Sequence, residues 1–295
     1  MSVLESAGAR GSTAPRERAN WLAIARRDFA DVRRSKVVSA AIGLFVAFVT
    51  LVVATSSTSG DSPAVDALWS IHGIAIFFVP ILVLVVAYRS IAGECESGRI
   101  QYLLGWPITR RDVILGKFLS RSLVAILAVA VAMGIGTVIV ALRYPSVPLL
   151  EIATLTALMA FFAVVYTGIA VGVSALARTR GRALGGVVGI YVLFTVLWGS
   201  PNVRPMDSLA YLLEDLLGLS ARPNLYEFVY HLSPSFAYSR LANGLLFERG
   251  TDGAIAPPED APFYLTEWFM PAILLLWLVL TLAVGYRWFR EAELA

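Results

Sequence analysis

The chain has 295 residues, of which 58% are hydrophobic and only 15% are charged. Soluble domains are about half apolar and about a quarter charged, so this composition excludes an ordinary soluble domain and indicates a membrane protein. The single cysteine, Cys95, excludes a disulfide framework within the chain, and His72 and His231 lie too far apart in sequence to suggest a metal site.

The amino-terminal region predicts a tail followed by a surface helix. Residues 1–20 are small and polar, without the apolar centre of a signal peptide, so we expect a disordered cytoplasmic tail. Residues 21–36 combine apolar and basic positions at helical spacing, which predicts an amphipathic interfacial helix on the cytoplasmic membrane surface. Adhesion to lipid alone and contact with a partner subunit are both open roles for this helix. Its apolar side is formed by Leu22, Ala25, Phe29 and Val32, and its basic side by Arg26, Arg27, Arg33 and Arg34.

Six segments further along the chain are apolar enough to cross a bilayer, which takes about 20 residues per helix. With the amino terminus in the cytoplasm, most of the 24 Lys and Arg residues fall on the cytoplasmic side, as the positive-inside rule requires. We therefore predict an all-α membrane protein with both ends inside, a transmembrane domain at 37–286 and a cytoplasmic tail at 287–295. The predicted spans are 37–54, 69–88, 122–142, 150–176, 183–198 and 268–286.

Proline and capping signals predict where several further helices begin. The segment 199–267 is too apolar for a simple external linker, and Pro223 and Pro234 divide it into three short helices. Apolar helices too short to span suggest re-entrant helices or a cap on the outer end of the bundle. On the other side of the membrane, Thr109 followed three residues later by Asp112 predicts the start of the helix that leads into the third span.

The predicted spans carry small residues but few polar ones. Gly168 and Gly172 form one Gly-x-x-x-Gly pair, and Gly181, Gly185 and Gly189 form a second ladder. Such spacing allows close helix packing, either within the chain or between two copies. The centres of the spans lack Asp, Glu, His and Arg side chains, so the energy for any transport is expected to come from a partner. The sequence contains neither a phosphate-binding loop nor a catalytic constellation, which predicts no enzymatic activity in this chain.

The most informative region is the segment between the second and third predicted spans, 88–121. Ile100, Leu103 and Leu104 predict a short helix with an apolar face, and Pro107 ends it. A short charged helix that projects from a transmembrane bundle is suited to docking in a cleft of another protein. The alternative is a solvated basic loop that only satisfies the positive-inside rule. The charged residues around the helix are Glu94, Glu96, Arg99, Arg110 and Arg111.

The same segment resembles the first cytoplasmic loop of permease subunits of ABC-2 type (type-2) ABC transporters. That family has a Glu-x-Glu-x-Gly element after the second helix, then a Leu-Leu-x-x-Pro-x-x-Arg run, then Leu-Gly-Lys at the entry to the third helix. The surrounding plan is similar as well, including a Leu-Ser-Pro-Ser-Phe-Ala-Tyr run at 232–238. The matching residues are Glu94, Glu96, Gly98, Leu103, Leu104, Pro107, Arg110, Leu115, Gly116 and Lys117.

The resemblance implies a permease subunit of an ATP-driven exporter, located in the cell (plasma or inner) membrane. It implies that ATP and Mg²⁺ bind a separate cytoplasmic ATP-binding subunit, that two permease copies form a homodimer or heterodimer, and that this chain holds no cofactor, metal or nucleic acid. The loop would be the coupling helix, so charge reversal at Glu94 and Arg110 would weaken the complex. The implied coupling residues are Glu94, Glu96, Gly98, Arg99, Leu103, Leu104, Pro107, Arg110, Arg111, Gly116 and Lys117.

Two other functions remain open: an ion-coupled secondary carrier and a non-transporting membrane assembly or scaffold protein. Uptake driven by a gradient alone would favour the carrier. For a translocation path, the predicted lining residues are Tyr166, Thr167 and Tyr191, because their side chains have polar tips and lie near the middle of predicted helices.

Overall fold

The computed structural model describes residues 20–100, 108–200, 204–247 and 262–291, and within those ranges the regular elements are all helices. Six helices in this part of the chain are long and apolar enough to cross a membrane. The prediction of an all-helical membrane protein with six candidate spans is therefore confirmed. The candidate spans are Lys36–Thr55, Pro63–Glu96, Arg110–Arg143, Leu149–Leu176, Arg180–Leu197 and Glu267–Glu291.

The α-helices of the described ranges are α1 (Asn20–Arg33), α2 (Lys36–Thr55), α3 (Pro63–Ala87), α4 (Ala92–Glu96), α5 (Arg110–Arg143), α6 (Leu149–Leu176), α7 (Arg180–Tyr191), α8 (Pro205–Ala210), α9 (Pro223–His231), α10 (Pro234–Ala242) and α11 (Met270–Glu291). Helices α7, α8 and α10 continue as π-helical turns over 192–197, 211–216 and 243–247. Two 3₁₀ turns, at 263–265 and 267–269, lead into α11.

Helices begin at the predicted prolines and at the predicted cap. Pro223 and Pro234 are the first residues of α9 and α10, where a missing N–H costs no intrahelical hydrogen bond. The Thr109 hydroxyl accepts from the backbone N–H of Asp112, and the Asp112 carboxylate accepts from the backbone N–H of Thr109, which makes a capping box. Helix α5 then runs unbroken for 34 residues. Residues 110–121, which precede the predicted third span, are the opening third of this helix, as the predicted start at Thr109 requires.

Helix α6 is central, and it packs against α11, α5 and α3. Its contact with α11 depends on glycines: a Cβ at Gly285 would lie 2.6 Å from the carbonyl oxygen of Gly172, and a Cβ at Gly172 would overlap the carbonyl of Thr281. A Cβ at Gly168 would overlap the side chain of Leu278. The pair Gly168 and Gly172 therefore serves packing within the chain.

The second glycine ladder lies on an open face. Helix α7 with its π-helical turn has a smaller buried fraction than any other candidate span. A Cβ at Gly181, Gly185 or Gly189 would meet no atom of the described residues within 4 Å. Leu184 and Val188, which lie on the same side of the helix, are exposed. We call the surface formed by these five residues the α7 glycine face.

Contacts at the two ends of the bundle show which helix ends lie together. At one end, the Arg110 guanidinium donates to backbone carbonyls at the end of α11. The same end contains the junction of α4 with α7, where the backbone N–H of Arg180 donates to Glu96 Oε2 at 2.8 Å. At the other end, Arg143 donates to the carbonyl of Ala54, which joins the ends of α5 and α2. We call the first the basic end, because the segments rich in Lys and Arg meet there.

Helix α10 inserts between the spans. The hydroxyls of Tyr166, Thr195 and Ser235 hydrogen-bond to one another at 2.8 to 2.9 Å, joining α6, the π-helical turn after α7 and α10. His72 of α3 is buried, with its Nδ1 3.4 Å from the hydroxyl of Tyr238 in α10. The segment after the fifth candidate span is thus part of the packed bundle.

Candidate functional site

A carboxylate on α1, Asp28, lies at the centre of a buried ion network. Its side chain is 5% exposed, and one of its oxygens lies 2.7 Å from Nζ of Lys117. The other oxygen lies 3.0 Å from Nε of Arg121 and accepts the hydroxyl hydrogen of Ser120. Because these three partners lie within four residues on one side of α5, the carboxylate fastens α1 along the opening third of α5.

The network extends from α5 to α3 and α4. The Lys117 ammonium also pairs with the carboxylate of Glu94, so it bridges α1 and α4. Nη1 of Arg121 donates to the carbonyl of Val86, in the last turn of α3, at 2.8 Å. Residues of four helices, α1, α3, α4 and α5, therefore take part in this network. Removing one member of such a set leaves a buried charge without its partner, which is strongly destabilising.

Asp28 is ionised at neutral pH. Burial alone opposes ionisation, but the positive charges of Lys117 and Arg121, together with hydrogen bonds from Lys117 and Ser120, outweigh it and hold the pKa of Asp28 below its ordinary value. Across the described ranges, no group of three or more His, Cys, Asp or Glu side chains could hold a metal ion.

Helix α1 approaches α5 so closely that it requires glycine at Gly116. A Cβ there would lie 2.8 Å from the backbone carbonyl oxygen of Trp21 and 2.8 Å from Cβ of Ile24, closer than real Cβ contacts allow. Gly116 and Lys117 of the Leu-Gly-Lys motif thus have a shared structural effect, since the glycine admits α1 and the lysine binds its carboxylate.

Helix α4 is fixed to the bundle at both ends. The backbone N–H groups of Ile91 and Ala92 each donate to Oγ of Ser174 at 3.1 Å, so the end of α6 caps the start of α4. At the end of α4, the Glu96 carboxylate binds the backbone N–H of Arg180 and lies 3.6 Å from its guanidinium. A displacement of α4 would therefore be transmitted to α6 and α7.

Some of the predicted coupling residues have partners inside the chain. Glu94 and Lys117 pair with each other, Gly116 contacts α1, and Arg110 binds carbonyls of α11. Arg110 also lies over the ring of Phe289, with its guanidinium carbon 5.6 Å from the ring centre. These contacts give the motif a role in holding the basic end together, and its role in docking stays a prediction.

Other predicted coupling residues are accessible. Glu96, Arg99 and Arg111 are exposed at the basic end. Gly98 has a φ of 70°, a left-handed conformation that favours glycine, and it separates α4 from the next helical residues, 99 and 100. The docking role of Glu96, Gly98, Arg99 and Arg111 stays a prediction. Three further predicted residues lie outside the described ranges: Leu103, Leu104 and Pro107.

The residues predicted to line a translocation path are engaged in packing. Tyr166 is buried with its hydroxyl in the cluster with Thr195 and Ser235. Thr167 is also buried, and its hydroxyl donates to the carbonyl of Ala163 in its own helix at 2.8 Å. Tyr191 is half-buried. The path through the protein therefore stays a prediction.

Asp28 was missed by sequence reasoning although the sequence contains a signal for it. It lies three residues after Ala25 and four before Val32, which places a carboxylate within the apolar side of α1. A carboxylate in a buried stripe needs a cationic partner. The contact with α5 also shifts the buried side of α1, since Ile24 is buried whereas Leu22 is exposed.

Comparison with known proteins identifies the family. The chain matches the family described as ABC-2 family transporter protein over residues 22–294. It is also similar to two proteins named "Probable ABC transporter permease protein NosY". The one from Pseudomonas aeruginosa is 29% identical over 281 residues, covering 91% of this chain and 97% of the relative. The one from Stutzerimonas stutzeri is 27% identical over 281 residues, with the same coverage of 91% and 97%. Because the family match extends across nearly the whole sequence, the chain belongs to the ABC-2 family of transporter proteins.

Proposed function

We propose that the chain is the membrane-spanning permease subunit of an ATP-driven exporter and that a separate cytoplasmic subunit binds ATP and Mg²⁺. On this proposal, the basic end faces the cytoplasm, α1 lies at the membrane surface, and α8 to α10 dip in from the outer side. Membership of the ABC-2 family and the names of the two relatives support a permease. The excess of Lys and Arg at the basic end supports the orientation.

The observation that carries the proposal is the connection of α4 to the rest of the bundle. Helix α4 is tied to α6 by Ser174, to α7 by Arg180 and to α5 by Lys117, while Arg99 and Arg111, at the same end of the bundle, are exposed. An ATP-binding subunit that contacts the exposed side chains could move α4, and the internal contacts would carry that movement to three candidate spans.

The docking role predicts the effect of charge reversal at the exposed arginines. Arg99→Glu combined with Arg111→Glu is expected to reduce co-purification of the ATP-binding subunit by at least about tenfold, because close charge pairs across an interface contribute several kcal/mol. Thermal unfolding of the variant permease should match the wild type, since both side chains are exposed. These sites are preferred to Glu94 and Arg110, because those two residues have contacts within the chain. A weaker complex after their substitution could result from altered folding as well as from lost docking.

The matched control for this experiment reverses two other charges at the same end. Arg287 and Arg290, in the last turn of α11, are both exposed, and Arg287→Glu with Arg290→Glu should leave the complex intact. If this control weakens the complex as much as the first variant, the effect is one of overall charge and the docking role of the α4 region is wrong. Full ATP-driven transport by the Arg99 and Arg111 variant would also contradict the proposal.

The permease is proposed to form a dimer through the α7 glycine face. Small residues in a transmembrane helix allow two backbones to approach closely, and Gly181, Gly185 and Gly189 are the ladder that the described part of the chain leaves uncovered. In a two-fold symmetric dimer, the same face of each copy would meet its counterpart. The other ladder is already used between α6 and α11.

Single-cysteine cross-linking tests the dimer. The chain has one cysteine, Cys95, so a Cys95→Ser background provides a cysteine-free protein. Leu184→Cys in this background is expected to give an oxidative cross-link between two copies in membranes. Leu276→Cys, an exposed position on α11, is the control and should stay monomeric. Cross-linking at Leu276 but not at Leu184 would place the dimer interface elsewhere.

A further inference from the structure

A cavity of about 400 Å³ lies between α1, the start of α2 and the end of α3, beside the buried ion network. This volume is within the range of sites that bind small ligands, roughly 300–1,000 Å³. Five basic residues line it: Arg89, Arg99, Lys117, Arg121 and Arg180. The cavity is therefore distinct from the apolar contacts that hold the spans together.

The lining has a surplus of positive charge. Of its three carboxylates, Asp28 and Glu94 are paired with Lys117 and Arg121. The third, Asp31, is exposed at the surface of α1. The guanidinium groups of Arg89 and Arg99 form neither an ion pair nor a hydrogen bond with any residue that the structure describes. An anion in the cavity would find two guanidinium groups available, which suits a phosphate.

Ser90 adds an unused polar group to this cavity. The residue is 1% exposed, it lines the cavity, and its hydroxyl has no hydrogen-bond partner in the described part of the chain. Buried polar groups are normally hydrogen-bonded, so an unpartnered hydroxyl at the wall of a basic cavity indicates a missing acceptor. A phosphate oxygen would accept that hydrogen bond.

The position of the cavity favours a lipid phosphate over a free one. Its lining includes Val37 and Val38, in the first turn of α2, and Val85 and Val86, in the last turns of α3. These residues mark the boundary between the apolar spans and the basic end, and Val37 is 58% exposed. A headgroup in the cavity would let acyl chains run down the apolar surface of α2.

We infer that this cavity binds the phosphate of an anionic membrane lipid, with Arg89 and Ser90 as its specific contacts. Basic pockets between transmembrane helices at the cytoplasmic side bind anionic headgroups in other proteins. The lipid would lie between α1 and the ends of α2 and α3 and would stabilise the docked position of α1. The inference goes beyond the proposed function, since it requires only that the helices cross a bilayer.

Lipid titration of the purified chain in detergent tests this inference. Phosphatidylglycerol is expected to raise the unfolding temperature and to give a one-to-one complex by native mass spectrometry, whereas phosphatidylcholine should not. Arg89→Gln combined with Ser90→Ala is expected to raise the phosphatidylglycerol concentration at half-effect by about tenfold, as the loss of a charge-assisted contact predicts. Its unfolding temperature without lipid should equal that of the wild type. Arg178→Gln removes an exposed charge outside the cavity and should bind lipid normally.

Four outcomes would overturn the inference. Equal stabilisation by phosphatidylglycerol and phosphatidylcholine would show that the charge of the headgroup has no role in binding. Equal loss of binding in Arg178→Gln would indicate diffuse attraction to a basic surface. Stabilisation by glycerol phosphate without acyl chains, at the concentration that phosphatidylglycerol requires, would identify a soluble phosphate as the occupant. Loss of the ATP-binding subunit from the Arg89 and Ser90 variant, with lipid binding unchanged, would assign the cavity to a protein partner.

Discussion

Replacing Asp28 with asparagine is expected to undock α1 and to abolish ATP-driven transport while the spans still insert. The substitution keeps the size of the side chain but removes the charge that Lys117 and Arg121 share. Lys117 retains Glu94, so Arg121 is the buried cation left without a carboxylate. Breaking a buried ion pair typically costs about 3–5 kcal/mol. Thermal unfolding in nanodiscs measures the loss, and protease cleavage within α1 reports undocking.

Asp31→Asn is the matched control, because it removes the same charge from the same helix at an exposed position. It should leave the unfolding temperature within about 1 °C of wild type, as surface substitutions change stability by less than about 0.5 kcal/mol. A double variant, Asp28→Asn with Arg121→Gln, should recover part of the lost stability, since no buried guanidinium is then stranded. Equal stability of Asp28→Asn and wild type would show that the ion network does not hold α1.

The difference in stability between wild type and Asp28→Asn is expected to depend on pH in one direction. The pKa of Asp28 is lowered in the folded protein from an ordinary value of 3.8, because the neighbouring cations outweigh burial. Its stabilising contribution is therefore fully present above the ordinary value and is lost as the pH falls through the lowered one. We expect the stability gap between wild type and Asp28→Asn to stay constant from about pH 5 to 8 and to narrow only below about pH 4.

The helical architecture could be predicted because it depends on patterns that are local in the sequence. Apolar runs located the six candidate spans, the prolines at 223 and 234 began helices, and Thr109 with Asp112 formed the predicted cap. Each of these features depends on residues within a few turns of one another, so a single sequence is enough to predict it. The predicted third span, 122–142, begins later than α5 itself because the opening third of α5 carries several charged residues.

The site depends on contacts between residues distant in sequence, which no local pattern specifies. Asp28 finds its partners about ninety residues away on α5, and nothing near Lys117 in the sequence indicates that α1 covers it. The two glycine ladders are equivalent as spacing patterns. Only the packing of α6 on α11 shows that Gly172 is used inside the chain and Gly185 is not.

These two glycines are expected to respond in opposite ways to the same substitution. Gly172→Ala places a methyl group against the backbone carbonyl of Thr281, and Gly285 on the facing helix leaves no side chain that could move aside. Helices α6 and α11 would have to separate, and overpacking of this kind typically costs about 1–3 kcal/mol. We expect a lower unfolding temperature and a larger fraction of aggregate in size-exclusion chromatography.

Gly185→Ala is the control, because no atom in the described part of the chain lies within 4 Å of its added methyl group. Alanine favours a helix over glycine by up to about 1 kcal/mol, so this variant should be as stable as wild type or slightly more so in the monomeric state. A fall in monomer stability at Gly185 would mean that α7 packs against the chain more closely than the structure shows. Unchanged stability of Gly172→Ala would mean that α6 and α11 are farther apart than the structure shows, and the central packing of the bundle would then need another explanation.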